Sequence, residues 1–294
     1  MATTPSTSSS LNRPSALHRR SVRWKEMAGR IWEIFWALIT LFFVIFPVFW
    51  LIYTSFRSGL DVYSDRFFSP LTLDNFRTIF FGQFSVVDEF FTSLLVSSVT
   101  VAIGVPFGVM AAYVFARYRF RGGEALMVGI LVTQFIPALM IAIPFFNLFR
   151  SIGLYDTPWG LVIVYLSLVL PYSIWMMRGF IDALPIEIEE AATVDGCNEF
   201  QVLAFVTFPL VLPGIITSLV FSFVLCWNEF TYALMLAGRK TVTLQIAMTR
   251  TIGLQGIAWE QIAAVGMLVM IPMFFMSFTI RKYFIEGLTM GAVK

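Results

Sequence analysis

Charge, histidine and cysteine are all scarce in this chain. Only 13% of its 294 residues are Asp, Glu, Lys or Arg, about half the share of an ordinary soluble domain. Its one histidine, His18, lies in a polar N-terminal stretch, so the apolar segments offer no imidazole metal site or general base. Cys197 and Cys226 are too few for a thiolate cluster. One falls in a charged segment and the other in an apolar run, which predicts free thiols. Gly-x-x-x-x-Gly-Lys is absent, so the chain is not expected to hydrolyse ATP. No metal motif or carboxylate pair lies at membrane depth, which argues against a membrane-embedded enzyme. The net charge of +2 says nothing about nucleic acid, and no nucleic-acid partner is expected; the distribution of charge matters more, because it sets membrane orientation.

Apolar residues fill the space that charge leaves. They make up 58% of the chain, including 32 Phe and 8 Trp. One water-soluble core of this length could not hide so much apolar surface, so an integral membrane protein is expected. A bilayer core needs about 20 apolar residues per helix, and six runs meet that test: 31–56, 90–116, 125–148, 159–180, 211–237 and 262–280. This implies an all-α polytopic fold in contact with lipid. Residues 1–30 are of different material, Ser- and Thr-rich and then basic, and read as a disordered cytoplasmic tail. The six-span membrane body would be 31–294. Pro47, Pro106, Pro137, Pro144, Pro171, Pro213 and Pro272 fall in the spans, where neighbouring helices can satisfy the carbonyls they free. Gly104, Gly108 and Ala112 recur every four residues, a stripe that lets another helix come close.

Orientation follows from Lys and Arg. With the N-terminus inside, thirteen of the 20 lie in cytoplasmic segments, so both termini are expected to be cytoplasmic. Trp24, Trp32, Trp159, Trp259 and Tyr283 fall near span ends, as interfacial anchors do.

The inside segment 182–209 breaks the basic pattern. It holds Asp182, Glu187, Glu189, Glu190, Asp195 and Glu199. Pro185 suits the first position of a helix, and the glutamates that follow suit its positive end. Gly196 supplies a left-handed stop. Asn198 and Gln201 have capping-box spacing for a second helix, with Phe200, Leu203, Ala204 and Thr207 on one face. Two short helices are expected here: either a solvated acidic loop or a preformed plug for a groove in a cytosolic partner.

Glu190-Ala191-Ala192, three residues, Gly196, nine residues, then Val206-Thr207-Phe208-Pro209 resembles the EAA loop of ABC-importer permeases. Val206 and Phe208 depart from the family's Ile and Leu, and both stay apolar. Trp227-Asn228-Glu229-Phe230 and the ending Gly287-Leu288-Thr289-Met290-Gly291-Ala292-Val293-Lys294 are similar to the maltose-permease second-subunit (MalG-like) type of carbohydrate importer.

The resemblance implies a type I importer permease in a bacterial or archaeal inner membrane. Such a chain forms half of a pore for a carbohydrate or related polyol, beside a second homologous permease. Two ABC ATPase subunits would bind ATP and Mg, none of which this chain holds, and an extracytoplasmic solute-binding protein would deliver cargo. Glu190, Ala191, Ala192, Asp195, Gly196 and Pro209 would couple to the ATPase, and Gly287, Leu288 and Thr289 would contact it from the tail. Trp227, Asn228 and Glu229 are candidates for the translocation path. Glu229 is the one carboxylate deep in an apolar run, costing on the order of 3 kcal/mol at the membrane centre. It either faces the path or makes a helix–helix hydrogen bond. A secondary transporter or channel without ATPases would need ionisable groups through several spans, and Glu229 alone qualifies.

Overall fold

The computed structural model describes residues 16–292 apart from 65, 67, 83, 84, 254 and 255. Contacts divide the chain into two units, Met1–Tyr53 and Thr54–Lys294. Helix α1 (Ala16–Ser55) supplies the described part of the first, and its last two residues belong to the second. The tail expected to be disordered as far as residue 30 is helical from Ala16. Residues 16–28 contain no Gly or Pro and are rich in Arg, Ala, Lys, Glu and Met, all good helix formers. The stretch 1–15 lies outside the described residues. Gly29–Ser55 is long and apolar enough to cross a membrane. Rings one turn apart stack along it, Phe42 on Phe46 at 5.3 Å and Phe46 on Trp50 at 6.1 Å.

The second unit opens with α2 (Gly59–Val62) and α3 (Asp74–Phe81), followed by α4 (Val87–Arg117), α5 (Gly123–Val132) and α6 (Ala138–Ser151). Next come α7 (Pro158–Asp182), α8 (Ile186–Val194), α9 (Glu199–Val202), a π turn (Leu203–Thr207) and α10 (Phe208–Leu210). Then follow α11 (Leu212–Trp227), α12 (Thr231–Leu236) and α13 (Leu244–Thr249). A short antiparallel hairpin, β1 (Ile252–Gly253) with β2 (Gly256–Ile257), precedes α14 (Trp259–Ala292). The hairpin was not expected of an all-helical chain.

Two expected spans are not single helices. Run 125–148 bends by 94° between Phe135 and Ala138. Pro137 can give no backbone N–H there and holds Ile136 extended, at ψ 117. Run 211–237 is interrupted twice. At Val211 the chain turns by 77° between Glu199–Leu210 and Leu212–Trp227, and after Trp227 it leaves the helix until Thr231. The other three apolar helices of the expected set in this unit, α4, α7 and Trp259–Phe278 of α14, are unbroken and each long and apolar enough to cross a membrane.

Small residues set the core. A Cβ on Gly104 would lie 2.6 Å from Val169 Cγ1, and one on Gly108 2.5 Å from Ser173 Cβ, so the expected stripe is where α4 meets α7. Ser173 of α7 faces Ser218 and Ser222 of α11, each pair at 3.4 Å and all three buried. Such hydroxyl contacts join helices where apolar packing has little advantage over lipid. Pro171 frees the Ser167 carbonyl one turn back, and Gln134 Nε2 donates to it at 3.1 Å. Thr157 caps α7 by accepting from the Gly160 amide at 3.1 Å, with Pro158 first in the helix.

At the end of the unit away from α8, Asp156 ties two loops together. Its backbone is left-handed (φ 56). Its carboxylate accepts from the amides of Gly238 (2.9 Å), Arg239 (3.0 Å), Lys240 (3.0 Å) and Thr241 (3.0 Å), and from the Thr241 hydroxyl (2.9 Å). Gly238 admits the carboxylate, since a Cβ there would sit 2.5 Å from Asp156 Oδ2. Burial pushes the Asp156 carboxyl up, but the donors of Arg239, Gly238 and Thr241 outweigh it and hold the group at about 2.

Candidate functional site

The acidic segment folds as a bent pair of helices. Pro185 is the cap of α8 rather than its first residue. The chain then reverses at Gly196, whose φ of +95 is the left-handed geometry that favours glycine. Asn198 caps α9 by accepting from the Gln201 amide at 2.9 Å, while Gln201 Oε1 accepts from the Asn198 amide at 2.9 Å. The expected single face of Phe200, Leu203, Ala204 and Thr207 is split. Leu203–Thr207 is a π turn, whose wider winding carries Thr207 into the core while Phe200 stays exposed. Phe200, Leu203 and Ala204 line a groove against Pro106, Val109 and Met110 of α4.

Glu190, Ala191, Asp195, Gly196 and Pro209 are exposed, and Ala192 is half-buried. A Cβ on Gly196 would meet open space within the chain. Beside them, Val194, Phe200 and Phe205 are 87%, 68% and 74% exposed. Cys197 is half-buried and Cys226 buried, both free.

The sequence reading missed Glu189, which is 6% exposed. Both its oxygens meet Arg117 at the end of α4, at 2.9 and 3.1 Å. The Thr207 hydroxyl donates to it at 2.9 Å and the Tyr113 hydroxyl at 3.3 Å. Arg117 also donates to the Ile181 and Leu184 carbonyls at 3.0 and 3.2 Å. The Glu199 carboxylate beside the Tyr118 hydroxyl raises the phenol above its ordinary range. The final turn of α4 thus holds α8 against the end of α7. Three glutamates within four positions give no local sign of which one turns inward.

The second feature is a cavity of about 520 Å³ between the breaks in the bent helices, lined by Gln134, Phe135, Phe145, Ser167, Glu229 and Tyr232 among others. Its volume lies in the usual range of small-ligand sites, about 300–1,000 Å³. Glu229 is half-buried and accepts from the Tyr232 amide at 2.9 Å, starting α12. Asn228 is exposed and donates to the Val224 carbonyl at 2.8 Å. Trp227 differs from expectation. It is wholly buried, stacks on Phe223 at 5.7 Å and donates from Nε1 to the Val269 carbonyl of α14 at 3.1 Å. That makes it a packing residue, because its ring has no face left for a path. Gly287, Leu288 and Thr289 sit in the last turns of α14, and their side chains lie outside the described residues. Among the described residues no group of His, Cys, Asp and Glu could hold a metal ion.

The profile described as binding-protein-dependent transport system inner membrane component matches residues 104–289. The chain belongs to that family. It is 34% identical to the probable ABC transporter permease protein y4oR of Sinorhizobium fredii, over 90% of this chain and 95% of that one. Its identity to the trehalose transport system permease protein SugB of Mycobacterium tuberculosis is 32%, over 88% of this chain and 97% of the other. Its fold matches a chain of the crystal structure of a bacterial ABC transporter that imports the acidic polysaccharide alginate. There the TM-score is 0.71 and the identity 24%, over 90% of this chain and 98% of that one. The protein is therefore an importer permease, an inner-membrane component, and its bent helix pair carries the first part of the stretch that resembles the EAA loop.

Proposed function

We propose that this permease forms half of the pore of an ATP-driven importer of carbohydrates or related polyols, beside a second homologous permease. Six crossings, with the two bent pairs counted as one each, put both termini in the cytoplasm. Two ABC ATPases that bind ATP and Mg act on the exposed side of α8 and α9, and an extracytoplasmic binding protein supplies the cargo. Relatives named for trehalose, diacetylchitobiose and maltose/maltodextrin transport support the cargo class.

The observation that carries this reading is the split of the EAA segment into two faces. Glu189 is sunk into the transmembrane body, while Glu190, Ala191, Asp195 and Gly196 are presented outward next to bare apolar side chains. A solvated loop has no need of Val194 and Phe205 on its surface, whereas a plug seated in a partner's cleft does. The tail residues Gly287, Leu288 and Thr289 add a second contact with the ATPases. Cargo passes the cavity at Glu229, where aromatic rings can stack on sugar faces and Gln134, Ser167 and Glu229 can exchange hydrogen bonds with hydroxyls; Asn228 flanks that route.

Gly196→Asp tests the coupling assignment. A Cβ at the position would meet nothing in this chain, so a block points to the strained backbone or to the docked partner. The expected result is a normal amount of permease in the membrane and loss of ATP-dependent sugar uptake. Unchanged uptake would remove Gly196 from the coupling surface.

A further inference from the structure

Arg117 and Glu189 are a costly way to fasten two helices. Their side chains are 10% and 8% exposed, and a buried ion pair is often no more stable than apolar residues of the same volume. Direction is what the pair adds. One guanidinium binds Glu189 through two nitrogens and reaches the Ile181 and Leu184 carbonyls where α7 ends. It thereby joins α4, α7 and α8 at one point, and Thr207 brings in the turn that leads to α11. The link bypasses the short connection 183–185, along which a push on α8 would otherwise have to travel.

The other end of α4 is fastened too. Glu89 meets Arg250 at 2.6 Å, and Ser93 Oγ accepts from the Leu244 amide at 2.8 Å, tying the helix to α13 and its loop. Both points lie on one helix of 31 residues, a rod about 46 Å long at 1.5 Å per residue, locked to α7 through Gly104 and Gly108.

We infer that Arg117 and Glu189 are positioning residues, a joint through which displacement of α8 turns the α4–α7 pair and, through Glu89 and Arg250, moves the α13 loop at the far end. This rests on the importer reading above and assigns its transmission to named groups. Neither residue touches cargo or nucleotide; they act by fixing the angle between lever and rod.

The test uses the complete importer in proteoliposomes, measuring sugar imported per ATP hydrolysed. In Arg117→Met with Glu189→Leu, non-directional contacts replace the six directed ones, four from Arg117 and two more to Glu189, without stranding a buried charge. The expected result is an assembled complex that hydrolyses ATP but imports at least about fivefold less per ATP, the low end of typical coupling between sites. A wild-type ratio in that variant overturns the joint. Should the double variant be lost from the membrane, Glu189→Gln, which keeps the volume and one acceptor, is measured in its place. A drop in the ratio supports the joint and an unchanged ratio overturns it. Arg250→Ala, at the exposed end, is expected to lower the ratio while leaving ATPase assembly intact, and no change there removes the outer half of the rod. A wild-type complex that imports nothing in response to ATP refutes the importer reading itself; normal wild-type import beside unaltered variant ratios refutes the joint alone.

Discussion

Replacing Asp156 by alanine would leave the amides of Gly238, Arg239, Lys240 and Thr241 and the Thr241 hydroxyl without their shared acceptor. A hydrogen bond to a charged group contributes about 1.5–3 kcal/mol. Five donors on one half-buried carboxylate do not add up, because water reaches part of the site and takes over some of them. A net loss of about 2–3 kcal/mol is the expected scale. Alanine also tolerates the left-handed backbone at φ 56 less well than aspartate, which adds a fraction of about 1 kcal/mol. At roughly 2–4 °C per kcal/mol for a chain of this size, the unfolding midpoint in detergent falls by about 5–12 °C. Asp156→Gly removes the same acceptor but relaxes the backbone, so it should lose less than Asp156→Ala. Acid supplies an independent check. The native carboxyl is held at about 2 against an ordinary 3.8. Its contribution is therefore whole above the ordinary value and disappears as pH falls through about 2. Amide exchange at 238–241 should accelerate over that interval in the wild type and already be fast at neutral pH in Asp156→Ala. A shift below about 2 °C with protected amides would refute the reasoning, showing that the loop holds its shape without the carboxylate.

Three further outcomes are expected. Gly108→Ala places a Cβ 2.5 Å from that of Ser173 and forces α4 from α7, costing about 1–3 kcal/mol; an unchanged thermal midpoint would show that the two helices have slack. Asn198→Ala removes the acceptor of the Gln201 amide and should destabilise α9 by about 1 kcal/mol, read as faster amide exchange at Gln201 with that at α7 unaltered. A membrane-impermeant maleimide should label the half-buried Cys197 from the cytoplasmic side alone and leave buried Cys226 unlabelled in intact vesicles. Labelling of Cys197 from the outer side would reverse the topology.

Features governed by near neighbours in the chain could be read from the residues. Apolar runs marked the membrane segments, since crossing lipid requires a helix's length of apolar side chains whatever surrounds it. The capping box at Asn198 and Gln201 and the left-handed stop at Gly196 emerged as expected, because both are settled within a few residues. The Gly104 and Gly108 stripe announced a close helix contact, though not that its partner was α7. The EAA spacing carried the family.

Other features depended on groups far apart in sequence. Glu187, Glu189 and Glu190 are alike locally, and Arg117, 72 residues away, decides that Glu189 is the buried one. Asp156 reads as an ordinary loop acid until the 238–241 turn wraps it. Trp227 looked like a pore residue until α14 covered it, and the span holding Glu229 looked continuous until the helix broke at Asn228. Burial and polar satisfaction are pairwise quantities, with one partner supplied by whichever element folds against the other. A single stretch of chain therefore shows which side chains can carry a charge inward, and the packed neighbours select the one that does.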